Sequence, residues 1–304
     1  MKNLCLALIA IAAFAISPSH ALAQDPVGAG FSRPETQDPI EAGFPGPNAV
    51  EGGRPVFELA LRDGSRVFGT VERETDQEIV FRTSTGATLT AKKTDIVSLR
   101  RVKGHLQNGE FRRTDEHRSR LFFAPTGRSL QRGQVSVGVF EFMMPFVQVG
   151  VTDRLSLGGG TPLVFGFDEE DRPFWLTPKL QIFDSPRAQG AVGVLHLFSF
   201  SGNNAGIAYG VGTLGSADNA ITAGVGLAYS GDARGGVVML GGERRVRRNL
   251  KLITENYVWE GGNGFLSGGV RFIGERLSAD LALAIPIGHD DLIAFPVVNF
   301  VYVF

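Results

Sequence analysis

From residue 134 to the end, hydropathy alternates with a period of two in segments parted by short turn-forming runs. Twelve segments can be drawn: 134–142, 145–151, 155–165, 174–183, 188–200, 205–214, 220–229, 235–246, 250–259, 265–273, 277–287 and 292–304. Their length suits a tilted membrane-crossing strand, which needs about 9–11 residues. In the seventh, Ile221, Ala223, Val225, Leu227 and Tyr229 alternate with Thr222, Gly224, Gly226 and Ala228. In the eleventh, Leu277, Ala279, Leu281, Leu283 and Ile285 oppose Ser278, Asp280, Ala282 and Ala284. In the sixth, Ile207, Tyr209 and Val211 oppose Ala208, Gly210 and Gly212. The larger apolar face is expected to meet lipid, and the small or polar face a lumen. A soluble sandwich would carry charges on its second face, whereas here that face is mostly Gly, Ala, Ser and Thr. The pattern predicts an all-β fold with an antiparallel transmembrane β-barrel of about twelve strands over 134–304.

The remainder of the chain reads differently. Residues 1–23 have a positive start at Lys2, an apolar run over 4–16, and Ala21 and Ala23 in a small-x-small pattern. This is the form of a secretory signal peptide cleaved after Ala23. Residues 24–54 are rich in Pro and Gly and read as an extended tether. Over 55–103 five short strands are expected, at 56–61, 67–74, 78–83, 88–92 and 96–99, with a hairpin signal at Asp63-Gly64. Strands this short need closure to escape exposed edges. Their order and spacing resemble an SH3-like or Sm-like small β-barrel. Residues 104–133 are polar and Arg-rich and read as a solvated linker, with entry of part of this stretch into the lumen as the alternative.

Composition narrows the class. The 304 residues are 43% hydrophobic with a formal net charge of -1, which argues against nucleic acid as a partner. The single cysteine, Cys5, precedes the expected cleavage site, so neither a disulfide framework nor a multi-cysteine metal site is available. No cofactor is implied.

A search for catalysis returns little. Four histidines follow Ala23: His105, His117, His196 and His289. His105 and His117 fall in the linker, and His289 adjoins Asp290 and Asp291 in a loop. His196 precedes Ser199 by three positions, which places the two on opposite faces of a strand. A lipid hydrolase built on His196 is the minor alternative. The acidic run 168–171 reads as a hydrated loop, and Arg244, Arg245, Arg247 and Arg248 as a rim near anionic headgroups. Alternation points Gln148, Lys179, Gln181, Glu243, Glu255, Arg271, Asp280 and Asn299 into the lumen, with Glu141 less clearly so. A midplane Arg or Lys on the lipid face would cost about 2–4 kcal/mol, which favours the inward placement of Lys179 and Arg271.

The last strand carries a further signal. Val298, Phe300, Tyr302 and the terminal Phe304 share one face. This resembles the assembly signal of bacterial outer-membrane β-barrels, which implies the barrel-insertion machinery as a partner during biogenesis. More loosely, Ala124-Pro125-Thr126-Gly127-Arg128, the run 150–153 and Thr177-Pro178-Lys179 resemble segments of uncharacterised exported barrel proteins of Gram-negative bacteria. The resemblance implies an outer-membrane location, contact with outer-membrane lipids, and the 55–103 module in the periplasm. The expected function is a narrow channel for small solutes. The alternative is a closed barrel that anchors the module for an envelope partner.

Overall fold

The computed structural model describes residues 55–163, 173–198, 204–288 and 294–304. The segments 1–23 and 24–54, the acidic run 168–171, Ser199 and the trio His289, Asp290 and Asp291 lie outside the described residues.

Five strands open the described chain: β1 (Phe57–Leu61), β2 (Arg66–Glu74), β3 (Glu78–Thr83), β4 (Thr88–Lys92) and β5 (Ile96–Arg101). They form one antiparallel sheet in the order β4-β3-β2-β1-β5. Gly64 and Gly86 hold positive φ in the first and third connections, where a side chain would be strained. A 3-10 turn (Lys93–Asp95) swings the chain so that β5 returns beside β1. Leu59, Ile79, Phe81 and Ala91 form the buried centre of this unit.

The unit runs on past residue 103. A hairpin of β6 (Gly104–Gln107) and β7 (Glu110–Arg113) follows. Phe111 of β7 stacks on Phe68 of β2 at 4.5 Å and shares a second small core with Val56 and Val102. The first third of the stretch expected to be a solvated linker is therefore packed structure.

Twelve strands follow: β8 (Val135–Phe140), β9 (Met144–Gly150), β10 (Leu155–Gly160), β11 (Phe174–Asp184), β12 (Ala188–Phe198), β13 (Ala205–Gly215), β14 (Asn219–Ser230), β15 (Ala233–Arg247), β16 (Leu250–Trp259), β17 (Gly264–Ile273), β18 (Leu277–Ile287) and β19 (Phe295–Val303). They form a closed antiparallel barrel in which β19 pairs with β8. Closure leaves no edge unpaired, the condition for a sheet to stand in hydrocarbon. The outer face is apolar and open to its surroundings, as at Val225 (65% exposed), Ile221 (63%) and Leu283 (56%). This is the architecture of an outer-membrane β-barrel. Val298, Phe300, Tyr302 and Phe304 lie on that outer face, alternating with the buried Asn299, Val301 and Val303.

One strand reverses the expected assignment of faces. In β13 the larger side chains Ile207, Tyr209 and Val211 turn inward with Thr213, while Ala208 and Leu214 are exposed outside. The reason lies in the neighbouring strands. Tyr209 pairs with Gly193 of β12 and Gly226 of β14. A Cβ on Gly193 would meet the Tyr209 hydroxyl at 2.4 Å. Glycines on both flanks thus make room for a large ring inside the wall.

Candidate functional site

The lumen gathers a cluster of buried ionisable side chains. A row of inward residues crosses five neighbouring strands in direct register: Arg245 opposite Lys251, then Arg271, Asp280 and Asn299. Each is buried. Period-two alternation puts them there, and partners hold them. Arg271 Nε donates to Asp280 Oδ1 at 2.7 Å and its Nη2 to Asp280 Oδ2 at 3.1 Å, a bidentate pair. Lys251 Nζ donates to Glu243 Oε2 at 2.7 Å. Arg245 pairs with Asp218, in the turn between β13 and β14, and is not a solvated rim residue.

What these groups surround is the chain itself. The rest of the stretch expected to be a linker enters the barrel, and Asp115, His117, Ser119, Arg120, Leu121, Phe122, Ala124, Thr126, Arg128 and Leu130 are all buried. The segment folds as a small hairpin. Arg120 and Pro125 form a bridge, and the Thr126 amide donates to the Ser119 carbonyl at 3.0 Å. Its tip, at Phe122 and Phe123, is held by the Glu255 carboxylate. Glu255 Oε2 accepts the amides of Phe122, Phe123 and Ala124 at 2.7, 3.0 and 3.1 Å. Lys179 grips the stem, donating to the carbonyls of Ser119 at 2.8 Å and Arg128 at 2.6 Å. Arg271 reaches three more carbonyls, those of His117, Arg120 and Leu121. Asn299 donates to the Phe122 carbonyl at 3.2 Å.

Three ion pairs add side-chain recognition. Asp115 receives Lys251 at 2.8 Å and Arg271 at 3.5 Å, and Arg128 pairs with Glu243. The solvated-linker expectation is thereby overturned for this part too. Its polar residues face a charged cavity whose dipoles they complement, so burial costs less than it would in an apolar core. Above the tip the wall is apolar: Tyr209, Tyr257, Ala282 and Ala284 pack against the cluster of Leu121, Phe122, Val211 and Val297.

The remaining expected residues fall as follows. Gln148 and Gln181 point inward, Gln181 buried at 5% exposure. Glu141 sits in the β8–β9 turn, where its Oε1 accepts the Val298 amide at 3.3 Å, and is not part of the lumen cluster. His196 is on the outer face, its Nδ1 2.6 Å from the Tyr229 hydroxyl. His117 is buried in the plug rather than solvated. Sequence reasoning missed Lys251 and Asp115. Lys251 was readable by the same alternation that places Ile253 and Glu255 inward; Asp115 carries no local signal, because its partners lie on β16 and β17.

At the open end of this arrangement the N-terminal unit touches the barrel. Glu275, in the turn between β17 and β18, receives Arg113 at 3.0 Å and also Arg100. Asp218 receives Arg112 at 3.3 Å and His105 at 3.4 Å. Burial pushes the Asp218 carboxyl up, but the hydrogen bond from His105 and the charge of Arg245 outweigh it, leaving the group well below the usual carboxylate range. The hydrogen bond from Arg100, then the charge of Arg113, lowers Glu275 against a smaller opposing effect of burial.

No family model matches the sequence, and no curated protein matches it. Among solved structures, a KdgM porin in complex with disordered oligogalacturonate superposes with a TM-score of 0.44 at 8% identity, over 56% of this chain and 98% of that one. The KdgM porin without that ligand gives the same values. A loop L8 deletion mutant of OmpT, an outer membrane protein of Vibrio cholerae, gives a TM-score of 0.34 at 12% identity, over 82% of this chain and 97% of that one.

Proposed function

We propose that this protein is a narrow outer-membrane channel for small solutes whose described state is shut by its own segment 114–133, with the N-terminal unit on the periplasmic side. One observation carries the reading. The wall groups that line the cavity bind the plug mainly through backbone amides and carbonyls, at Glu255, Lys179 and Arg271. A permanent core would be filled more stably by apolar packing, since buried charge is a weak source of net stability. A lumen that holds its occupant largely through hydrogen bonds to the backbone suits an occupant that can leave. The periplasmic placement rests on parity: an even strand number returns residue 304 to the side where β8 begins, beside the short turns after β9, β11, β13, β15 and β17.

The opposing reading, a permanently closed anchor for the N-terminal unit, is favoured by the three buried ion pairs between plug and wall. One experiment separates them. A Cβ on Gly127 would stand 2.3 Å from the Gln189 carbonyl oxygen, so Gly127→Val forces plug and wall apart. In planar bilayers the wild type is expected to stay mostly silent, and Gly127→Val, still heat-modifiable on a gel, to pass current. A folded Gly127→Val protein that admits thiol reagent to a cysteine placed in the plug yet carries no current would leave the anchor reading standing.

A further inference from the structure

Resting on the gated-channel reading, we infer that the vacated lumen selects small zwitterionic solutes of the amino-acid class, with Lys179 drawing the carboxylate end and Glu255 the ammonium end. Three lumen cations have an acid of the barrel itself as partner: Arg271 has Asp280, Lys251 has Glu243 and Arg245 has Asp218. Those pairs stay neutral when the plug departs. Lys179 and Glu255 do not. Lys179 has no acid partner and donates only to plug carbonyls, at Ser119, Thr126 and Arg128. Glu255 has no basic partner and, apart from the Tyr257 hydroxyl, accepts only plug amides from its side chain. Without the plug one cation and one anion remain unneutralised.

They stand on opposite walls. Lys179 is on β11 and Glu255 on β16, five strands apart one way and seven the other round the ring. An isolated charge of each sign in one lumen sets up a field between them, and low-dielectric walls concentrate it. The plug satisfies that field with its own dipoles, carbonyl oxygens toward Lys179 and amide hydrogens toward Glu255. A solute that replaces it must offer negative and positive ends in the same sense, as a zwitterion does. A neutral polyol offers neither, and a simple ion offers one.

The test uses the full chain with the plug displaced by Gly127→Val, and in parallel by Asp115→Asn/Arg128→Ala, which removes all three plug–wall ion pairs. In a KCl gradient, adding Lys179→Met is expected to move the reversal potential toward cation selectivity, and adding Glu255→Gln toward anion selectivity. In liposome-swelling assays, alanine is expected to enter several-fold faster than lactamide, its uncharged isomer. Either substitution should bring that ratio close to one. An alanine-to-lactamide ratio of one before substitution, or reversal potentials that do not move in opposite directions, would overturn the assignment while leaving the channel intact. If neither displaced variant conducts although both are folded, the gated-channel reading itself fails and this site falls with it.

Discussion

At the scale of single residues, the lumen is governed by what each buried charge has for a partner. Arg271 is fully buried and serves Asp280 and three plug carbonyls. Arg271→Met removes the cation and leaves Asp280 without a basic partner. Breaking one side of such a pair costs about 3–5 kcal/mol. The expected result is a clear fall in the urea midpoint of the lipid-embedded barrel. Arg271→Met/Asp280→Leu should recover much of that loss, because removing both partners leaves no stranded charge. A double variant no more stable than the single one would show that the bonds to the plug carbonyls, and not the ion pair, set the cost.

At the scale of elements, alternation carries far because a strand has only two faces. The twelve barrel strands and five N-terminal strands were legible as runs, and most lumen residues followed from parity alone. Where alternation mixed its signals, the physics was non-local. In β16 polar residues fall on both faces. Glu255 points inward, while Thr254 and Asn256 point outward into what is otherwise an apolar surface. The β16–β17 register pairs Thr254 with Gly268 and Tyr257 with Phe265, with no pair between them. Asn256 Oδ1 accepts the Ser267 amide at 3.1 Å and Thr254 Oγ1 donates to the Ser267 carbonyl at 2.7 Å. The outward polar side chains cover backbone groups that the ladder leaves open, which hydrocarbon would penalise by several kcal/mol each. In β13 the inward turn of Tyr209 depended on glycines in two other strands. The plug was the hardest element to read, since its residues look like a solvated loop until their partners across the barrel are known. The last strand gives this scale its prediction. With Tyr302 and Phe304 outward, Tyr302→Ser combined with deletion of Phe304 should lower the heat-modifiable, outer-membrane fraction severalfold in cells. Unchanged yield would mean that this face is not read during assembly.

At the scale of the whole molecule, the N-terminal unit and the barrel meet through carboxylates in two turns and basic groups on β5, β6 and β7. Arg100 and Arg113 converge on Glu275, and Arg112 and His105 on Asp218. Both carboxyls are held below their ordinary range in the docked state. Arg245 belongs to the barrel and keeps its hold on Asp218 with or without docking, whereas Glu275 is lowered by Arg100 and Arg113 of the N-terminal unit. Glu275 thus favours the docked state fully above its undocked pKa, roughly 4, and that contribution is lost as the pH falls through the docked value. The Glu275 contribution to docking should therefore fade as the pH falls below roughly 4. Hydrogen exchange of the β6–β7 amides, followed across that range, reads it directly. Glu275 is 43% exposed in its side chain and Arg100 49%, so added salt should loosen this contact, whereas Asp218, at 8%, is screened far less. Glu275→Gln should raise exchange at neutral pH and flatten the acid limb, and Asp218→Asn should also raise exchange at neutral pH, because it removes the charge that receives Arg112. Since residues 114–133 begin where β7 ends, an undocked hairpin frees the plug's entry point. Conductance of the wild type should then rise over the same acid limb, and conductance that stays flat while β6–β7 exchange accelerates would show that docking and gating are independent.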